Sequence, residues 1–247
     1  MFDTCVAYKI NIFFVNTYGD LTTMATDHKD IKDIKKFFNS YSKGFSSIYT
    51  EDDKSRNLFN KLMDKWFREG VYKRYENTLA ETQKDSIKTV LDVGCGPGHH
   101  TIAFLHQGKD VTALDVADEM VDLTREKVEK FDGAANCDYI VDDYMAHKFD
   151  EKFDAICVMG FFDYVSDPVT VLKKLISEAN KEIYISVPNE SGLLGMQRKI
   201  RYKLKNCPLY SYSREYLDSC LKEAGCIDFT EIKTEPRGFF VTIRIPE

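Results

Sequence analysis

Along the 247-residue chain the apolar positions follow two rhythms, one before and one after residue 88. In the first part they recur every three to four residues. Ile31, Ile34, Phe37, Phe38 and Tyr41 predict a helix within 27–43, because residues at that spacing share one helical face. Between 52 and 82 apolar pairs return at almost every turn: Leu58/Phe59, Leu62/Met63, Trp66/Phe67, Val71/Tyr72, then Tyr75 and Leu79. This is an amphipathic helix with an expected interruption at Gly70. Its aromatic stripe reads as core packing, with a lid over an adjoining site as the alternative.

Beyond residue 88 the rhythm changes to short apolar runs separated by helical stretches. KTVLDV reads as a buried-type strand, since strands covered on both faces lack polar alternation. DVTALDV reads as the second strand, and CDYIV, FDAICVMG and EIYISVP as three further short apolar strands. Helices are predicted at 98–107, 118–131 and 168–179. In the last, Val169, Val171, Leu172, Leu175 and Ile176 point inward, Asp167 takes the N-cap position and Pro168 the first helical one. Such alternation implies a mainly parallel sheet with helices on both faces. A further helix at 212–224 closes at Gly225. CIDFTEI and GFFVTIRI then flank the turn KTEPRG, the pattern of an antiparallel hairpin. The expected fold is α/β: a mainly parallel, seven-stranded, Rossmann-like sheet with a C-terminal antiparallel hairpin and an N-terminal helical cap. The expected organisation is a loose or mis-started extension over 1–26 and a helical cap or lid over 27–86. A core follows over 87–247, with a substrate-side insertion at 189–211.

Composition narrows the functional classes. A net charge of −6 weighs against the general phosphate attraction that nucleic-acid binders rely on. The basic cluster Arg198, Lys199, Arg201, Lys203 and Lys205 reads as a solvated helix face. Seven cysteines, odd in number and without a C-x-x-C pair, argue for a reducing compartment and against a zinc or disulfide framework. Ile10–Val15 has neither the basic leader nor the cleavage site of a signal peptide. No run reaches the roughly 20 apolar residues of a membrane span, so a cytoplasmic location is expected. Met24 would serve equally well as a start, which makes residues 1–23 the candidate extension.

The chemistry concentrates in VLDVGCGPGHHT, Val90–Thr101. Glycine-rich turns after a strand hold phosphates, dinucleotides or other nucleoside cofactors. No Lys-Ser or Lys-Thr follows, which removes the phosphate-binding P-loop. Gly94 and Gly96 match the dinucleotide pattern, but its third glycine position falls on His99, and the glycine stands at 98 instead. Asp115, ending the second strand run, is placed to accept from both ribose hydroxyls in either class of cofactor.

Four runs in order, VLDVGCGPG, VTALDVADEM, YIVDDY and FDAICVMG, resemble the class I S-adenosylmethionine-dependent methyltransferases over residues 88–187. The wider layout, from the aromatic N-terminal segment to the terminal GFFVTIRI, is similar to the magnesium-protoporphyrin O-methyltransferases, although no residue identifies a porphyrin. The resemblance implies S-adenosylmethionine as cofactor. It implies that Gly94, Gly96 and Gly98 pass close to the methionine portion, with Asp92 hydrogen-bonding toward it. Asp115 would bind the ribose diol, while Val116 and Met120 cover the adenine. Asp143 would accept from the adenine amino group, with Tyr144 beside it, and Asp142 leaves that register open by one. Met159 and Gly160 would lie beside the transferable methyl.

Methyl transfer from a sulfonium is an in-line displacement, so a general base is needed only for an acceptor that arrives protonated. Candidates are Asp163 and Tyr164 in MGFFDYVSDP, ahead of His100 and His99. Neighbouring helix residues point about 100° apart, so the two histidines cannot clasp one atom together. Phe45, Tyr49, Trp66, Phe161 and Tyr212 are the substrate-facing aromatics for a planar or hydrophobic acceptor. Arg198, Arg201 or Arg237 would pair with an acidic group on it. No metal site is expected. The leading reading is methylation of oxygen or nitrogen on a small-molecule acceptor, with no nucleic-acid partner. The alternatives are a protein or RNA methyltransferase and a non-catalytic cofactor-binding protein. Against nucleobase acceptors, MGFFDY stands where an Asp/Asn-Pro-Pro-aromatic run would, and Cys207-Pro208 reverses the Pro-Cys order of cytosine C5 enzymes.

Overall fold

The apolar runs pair into one sheet. The computed structural model describes residues 31–39, 72–130, 134–189 and 207–246. Its strands are β1 (Thr89–Val93), β2 (Asp110–Asp115), β3 (Cys137–Val141), β4 (Phe153–Val158), β5 (Ala179–Pro188), β6 (Thr230–Glu235) and β7 (Gly238–Arg244). The helices are α1 (31–39), α2 (72–82), α3 (His99–His106), α4 (Asp118–Val128), α5 (Pro168–Glu178) and α6 (Arg214–Glu223).

The seven strands lie in the order β3-β2-β1-β4-β5-β7-β6. Strands β1 to β5 pair in parallel, whereas β7 runs antiparallel between β5 and β6. Because β1 has β2 on one side and β4 on the other, the chain reverses its winding there. Ligands of open α/β sheets sit at such a switch point, outside the C-terminal ends of the strands.

Each strand feeds both faces of the sheet. Leu91, Val93, Ile156, Val158, Ile183, Ile185, Val241 and Ile243 pack with Leu172 and Leu175 of α5 and with Leu217 and Leu221 of α6. Their alternate neighbours Val90, Val111, Ala155, Cys157, Tyr184 and Phe240 pack with Phe104 of α3, and Leu79 of α2 lies against them. Burying each large apolar side chain in this way stabilises the fold by roughly 1.5–3 kcal/mol.

Local chemistry sets where the elements begin. Asp167 caps α5 by accepting from the Thr170 N–H at 3.2 Å, with Pro168 at the first turn. The helix expected from Tyr212 starts at Arg214, because the Ser213 hydroxyl accepts from the Tyr216 N–H at 3.1 Å. The strand expected from Cys226 starts at Thr230. Ile227–Phe229 forms a 3-10 turn instead, and the Thr230 hydroxyl closes it on the Cys226 carbonyl at 2.6 Å. Ala179, expected to end α5, has an extended backbone and opens β5.

Candidate functional site

At the end of β1 the chain makes the glycine turn. Gly94 and Cys95 both donate their N–H to the Leu114 carbonyl, at 2.8 and 3.0 Å, so the turn is pinned to β2. Gly94, Gly96 and Gly98 have φ of 70°, 53° and 76°, the left-handed region that other residues rarely enter. Two of them lack a side chain for different reasons. At Gly98 a Cβ would lie 2.7 Å from Thr124 Cγ2 and 2.8 Å from its Oγ1, so close packing of the turn on α4 excludes it. At Gly96 a Cβ would meet no atom within 4 Å. The Gly96 backbone therefore borders open space. From α4, Thr124 donates its hydroxyl to the Gly96 carbonyl at 2.8 Å and Lys127 its ammonium to the Pro97 carbonyl at 2.7 Å.

Two buried carboxylates stand at neighbouring strand ends. Asp115 accepts the Gly96 N–H on one oxygen and the Ala117 N–H on the other, both at 2.9 Å. A carboxylate offers about four acceptor positions, so these bonds leave capacity for a ligand's hydroxyls. Burial holds Asp115 above the ordinary carboxylate range, with the backbone hydrogen bonds opposing it. Asp92 on β1 accepts the Thr101 hydroxyl at 2.6 Å. Burial pushes it up to about 7, and the Asp115 charge adds to that rise.

After β4, Gly160 turns with φ 81°, donates its N–H to Ser186 Oγ at 2.8 Å, and has no atom within 4 Å of where a Cβ would stand. Phe161 follows, its ring 3.3 Å from the Cβ position of Gly94 and edge-on to Tyr144. The ends of β1 and β4 therefore meet at Phe161. Asp163 and Tyr164 lie on the adjoining 3-10 turn. Asp163 is buried, and its carbonyl accepts the Tyr210 N–H at 2.8 Å. Tyr164 is half-buried, with Phe38 of α1 against it at 5.3 Å between ring centres. The same helix sends Lys35 and Asn39 to Asp118, at 3.0 and 2.9 Å. Helix α1 thus spans from the end of β2 to the turn after β4.

The remaining candidates take varied places. Val116 is half-buried, but Met120 is fully enclosed. Tyr144 is also enclosed and donates its hydroxyl to Glu178 at 2.7 Å. Asp143 is half-buried and accepts the Met145 N–H at 3.0 Å. Exposed Asp142 accepts the Asp143 N–H at 2.8 Å and meets His147 Nδ1 at 2.9 Å. Met159 is half-buried, with its sulfur 3.5 Å from the Thr78 hydroxyl of α2. Tyr212 is buried and donates to the Val165 carbonyl at 2.7 Å, so its hydroxyl serves the fold. His100 packs on Tyr75 of α2 and Phe104, with ring centres at 5.3 and 6.2 Å. Burial lowers His100 to about 3 and His99 to about 4, which keeps both rings neutral near pH 7. The Arg237 carbonyl accepts the Asn189 N–H at 3.1 Å. Phe45, Tyr49, Trp66, Arg198 and Arg201 lie outside the described residues.

Sequence reasoning missed Thr101, Thr124, Ser186 and Arg74, which hold the two turns through side-chain hydrogen bonds. Thr101 directly follows the first glycine turn, but Thr124, Ser186 and Arg74 lie far from these turns in sequence, so no local signal marks them. Among the described residues no group of three or more His, Cys, Asp or Glu is placed to hold a metal ion. Among them, too, no helix is long and apolar enough to cross a membrane.

Residues 90–181 match the family described as the methyltransferase domain. Over 112 residues, 42% of this chain and 47% of the relative, the chain is 30% identical to a ubiquinone biosynthesis O-methyltransferase of Actinobacillus pleuropneumoniae. It is 25% identical over 111 residues, 44% of this chain and 55% of the relative, to a probable cobalt-precorrin-6B C(15)-methyltransferase of Thermoplasma acidophilum. The chain thus spans about half the length of these curated relatives. A crystal structure of magnesium protoporphyrin IX methyltransferase from Synechocystis with bound S-adenosylmethionine superposes with a TM-score of 0.66. That match covers 91% of this chain and 100% of the other at 16% identity, a likeness of fold.

Proposed function

We propose that this chain, which carries a class I S-adenosylmethionine-dependent methyltransferase domain, moves a methyl group from that cofactor to an oxygen or nitrogen of a small-molecule acceptor. The observation that carries the reading is the arrangement around Gly96: an open backbone face beside a buried carboxylate that already holds the turn. The residues present fit the cofactor. Gly94, Gly96 and Gly98 would border its methionine portion, and Asp115 has acceptor capacity for the ribose hydroxyls. Asp92 and Asp115 are two buried acids of like sign, so a cationic ligand at this strand end relieves their repulsion. When bound, S-adenosylmethionine supplies an electrophilic methyl on a sulfonium.

The chain's own task is to orient the acceptor and exclude water. Gly160 and Phe161 border the open space from the β4 side, and Phe38 of α1, packed on Tyr164, is placed to cover it. If the acceptor arrives as a hydroxyl, Asp163 and Tyr164 are the groups we assign to take its proton, because both lie on the turn directly after Gly160. The relatives named for ubiquinone and cobalt-precorrin chemistry favour a small-molecule acceptor.

Calorimetry with S-adenosylmethionine, S-adenosylhomocysteine and NAD tests the cofactor, and binding of NAD alone would overturn the reading. Incubation with methyl-labelled cofactor and a cell extract divided into small molecules and macromolecules tests the acceptor class. Label confined to the macromolecules would replace the small-molecule assignment with a protein or RNA one.

A further inference from the structure

We propose that Arg74 is a positioning residue of the methyl-transfer centre, acting through Ser186 on Gly160. The proposal rests on the methyltransferase reading, because that reading gives the turn at Gly160 its importance. Arg74 stands on α2, a helix whose aromatic stripe reads as core packing, with a lid as the alternative. Its Nη1 donates to Ser186 Oγ at 3.2 Å, although 112 positions separate the two residues. The same oxygen accepts the Gly160 N–H at 2.8 Å. Ser186 is 2% exposed, so these donors approach a hydroxyl held within the fold. Two donors occupy both acceptor positions of that oxygen, the Gly160 N–H at 2.8 Å and the cationic Arg74 guanidinium at 3.2 Å.

The neighbouring side chains of α2 support the same end of the sheet. Asn77 donates to Glu235 on β6 at 2.7 Å, and the Thr78 hydroxyl reaches the Met159 sulfur at 3.5 Å. One helix face therefore meets β5, β6 and the residue before Gly160. Gly160 has φ 81° and faces open space, so its hydrogen bond to Ser186 fixes the direction of the turn. In-line transfer is sensitive to such placement, because a displacement of about 1 Å costs on the order of a hundredfold in rate. On the proposed reading the β1 turn and Asp115 would carry most of the cofactor's contacts, so loss of Arg74 is expected to act on turnover more than on cofactor affinity.

The test compares wild type with Arg74→Met, Arg74→Lys and Ser186→Ala in three measurements. These are the Gly160 amide resonance by ¹H–¹⁵N NMR, calorimetry with S-adenosylhomocysteine, and methyl transfer from labelled S-adenosylmethionine to the small-molecule extract. The expected result is a Gly160 resonance displaced alike in Arg74→Met and Ser186→Ala and largely restored in Arg74→Lys. Turnover in Arg74→Met should fall about tenfold or more, with KM for S-adenosylmethionine and S-adenosylhomocysteine affinity within about threefold of wild type. An unmoved Gly160 resonance, or unchanged turnover in Arg74→Met, overturns the proposal. Wild type that fails to bind S-adenosylhomocysteine overturns the methyltransferase reading itself, a result told apart by the resonance, which needs no ligand.

Discussion

Thr101 donates its hydroxyl to Asp92 across 2.6 Å, and this is the described side-chain hydrogen bond of a carboxylate that burial raises to about 7. The unfolded-state value is about 3.9. Folded protein therefore holds a proton that unfolded chain releases between about pH 4 and 7, and stability declines as pH rises through that window. His100 works the other way. Its folded value is about 3, against about 6.5 for a free imidazole, so unfolded chain takes up a proton that the fold refuses. Its contribution is lost as pH falls below about 6.5. Asp92→Asn is expected to leave a profile that climbs from about pH 4 to 6.5 and then flattens, whereas removing both lowered imidazoles, in the double variant His99→Phe with His100→Phe, leaves the decline toward pH 7. Urea midpoints measured across this range check both, and a wild-type profile in Asp92→Asn counts against the buried-acid account.

Gly96 and Gly98 should answer differently to the same substitution. Gly98→Ala combines a left-handed backbone with a Cβ 2.7 Å from Thr124. It is expected to lose about 2 kcal/mol or more of stability. Gly96→Ala has no such clash, so it should lose only about 1 kcal/mol. Its Cβ enters the open space proposed for the cofactor, however, and S-adenosylhomocysteine affinity should fall about tenfold, or about 1.4 kcal/mol. Thermal unfolding with calorimetry separates the two, and equal affinity in Gly96→Ala would remove that space from the cofactor site.

Asp115→Asn tests the double use of one carboxylate. Both oxygens accept backbone N–H groups, and an amide can replace only one of them. The other buried donor is left unpaired, at about 1–3 kcal/mol. We expect a lowered Tm together with weakened S-adenosylhomocysteine binding. Native affinity would show that the ribose hydroxyls lie elsewhere.

Phe38→Ala and Lys35→Glu loosen two contacts of α1, on Tyr164 and on Asp118. Their contacts are peripheral to the sheet, so Tm should change little. Dissociation of S-adenosylhomocysteine, followed by stopped-flow fluorescence, should become faster in both. Unchanged off-rates would mean that α1 does not cover the site.

Much of this fold was legible before any coordinates. Strands such as β1 and β4 are short apolar runs buried over most of their length, and Gly98 and Asp167 stand at the starts of α3 and α5. Boundaries slipped where a side chain made an unforeseen local bond, as Ser213 did at α6 and Thr230 at β6. In the site, the glycine turn and Asp115 could be located because their spacing is local. Arg74 and Ser186 could not, because their meeting depends on where α2 packs across the sheet. The enclosure of Met120 and Tyr144 was hidden for a related reason. An apolar side chain after a strand reads the same whether it faces a ligand or the core.

The tie-downs of the glycine turn all come from the chain itself: the Leu114 carbonyl, the Asp115 carboxylate, and Thr124 and Lys127 on the outward carbonyls. A loop so anchored has surrendered its conformational entropy during folding and has little left to lose when a ligand arrives. The nucleoside recognition proposed at this strand end would therefore be preorganised. Any ordering that accompanies binding is then expected on the opposite side, at α1, where Phe38 meets Tyr164.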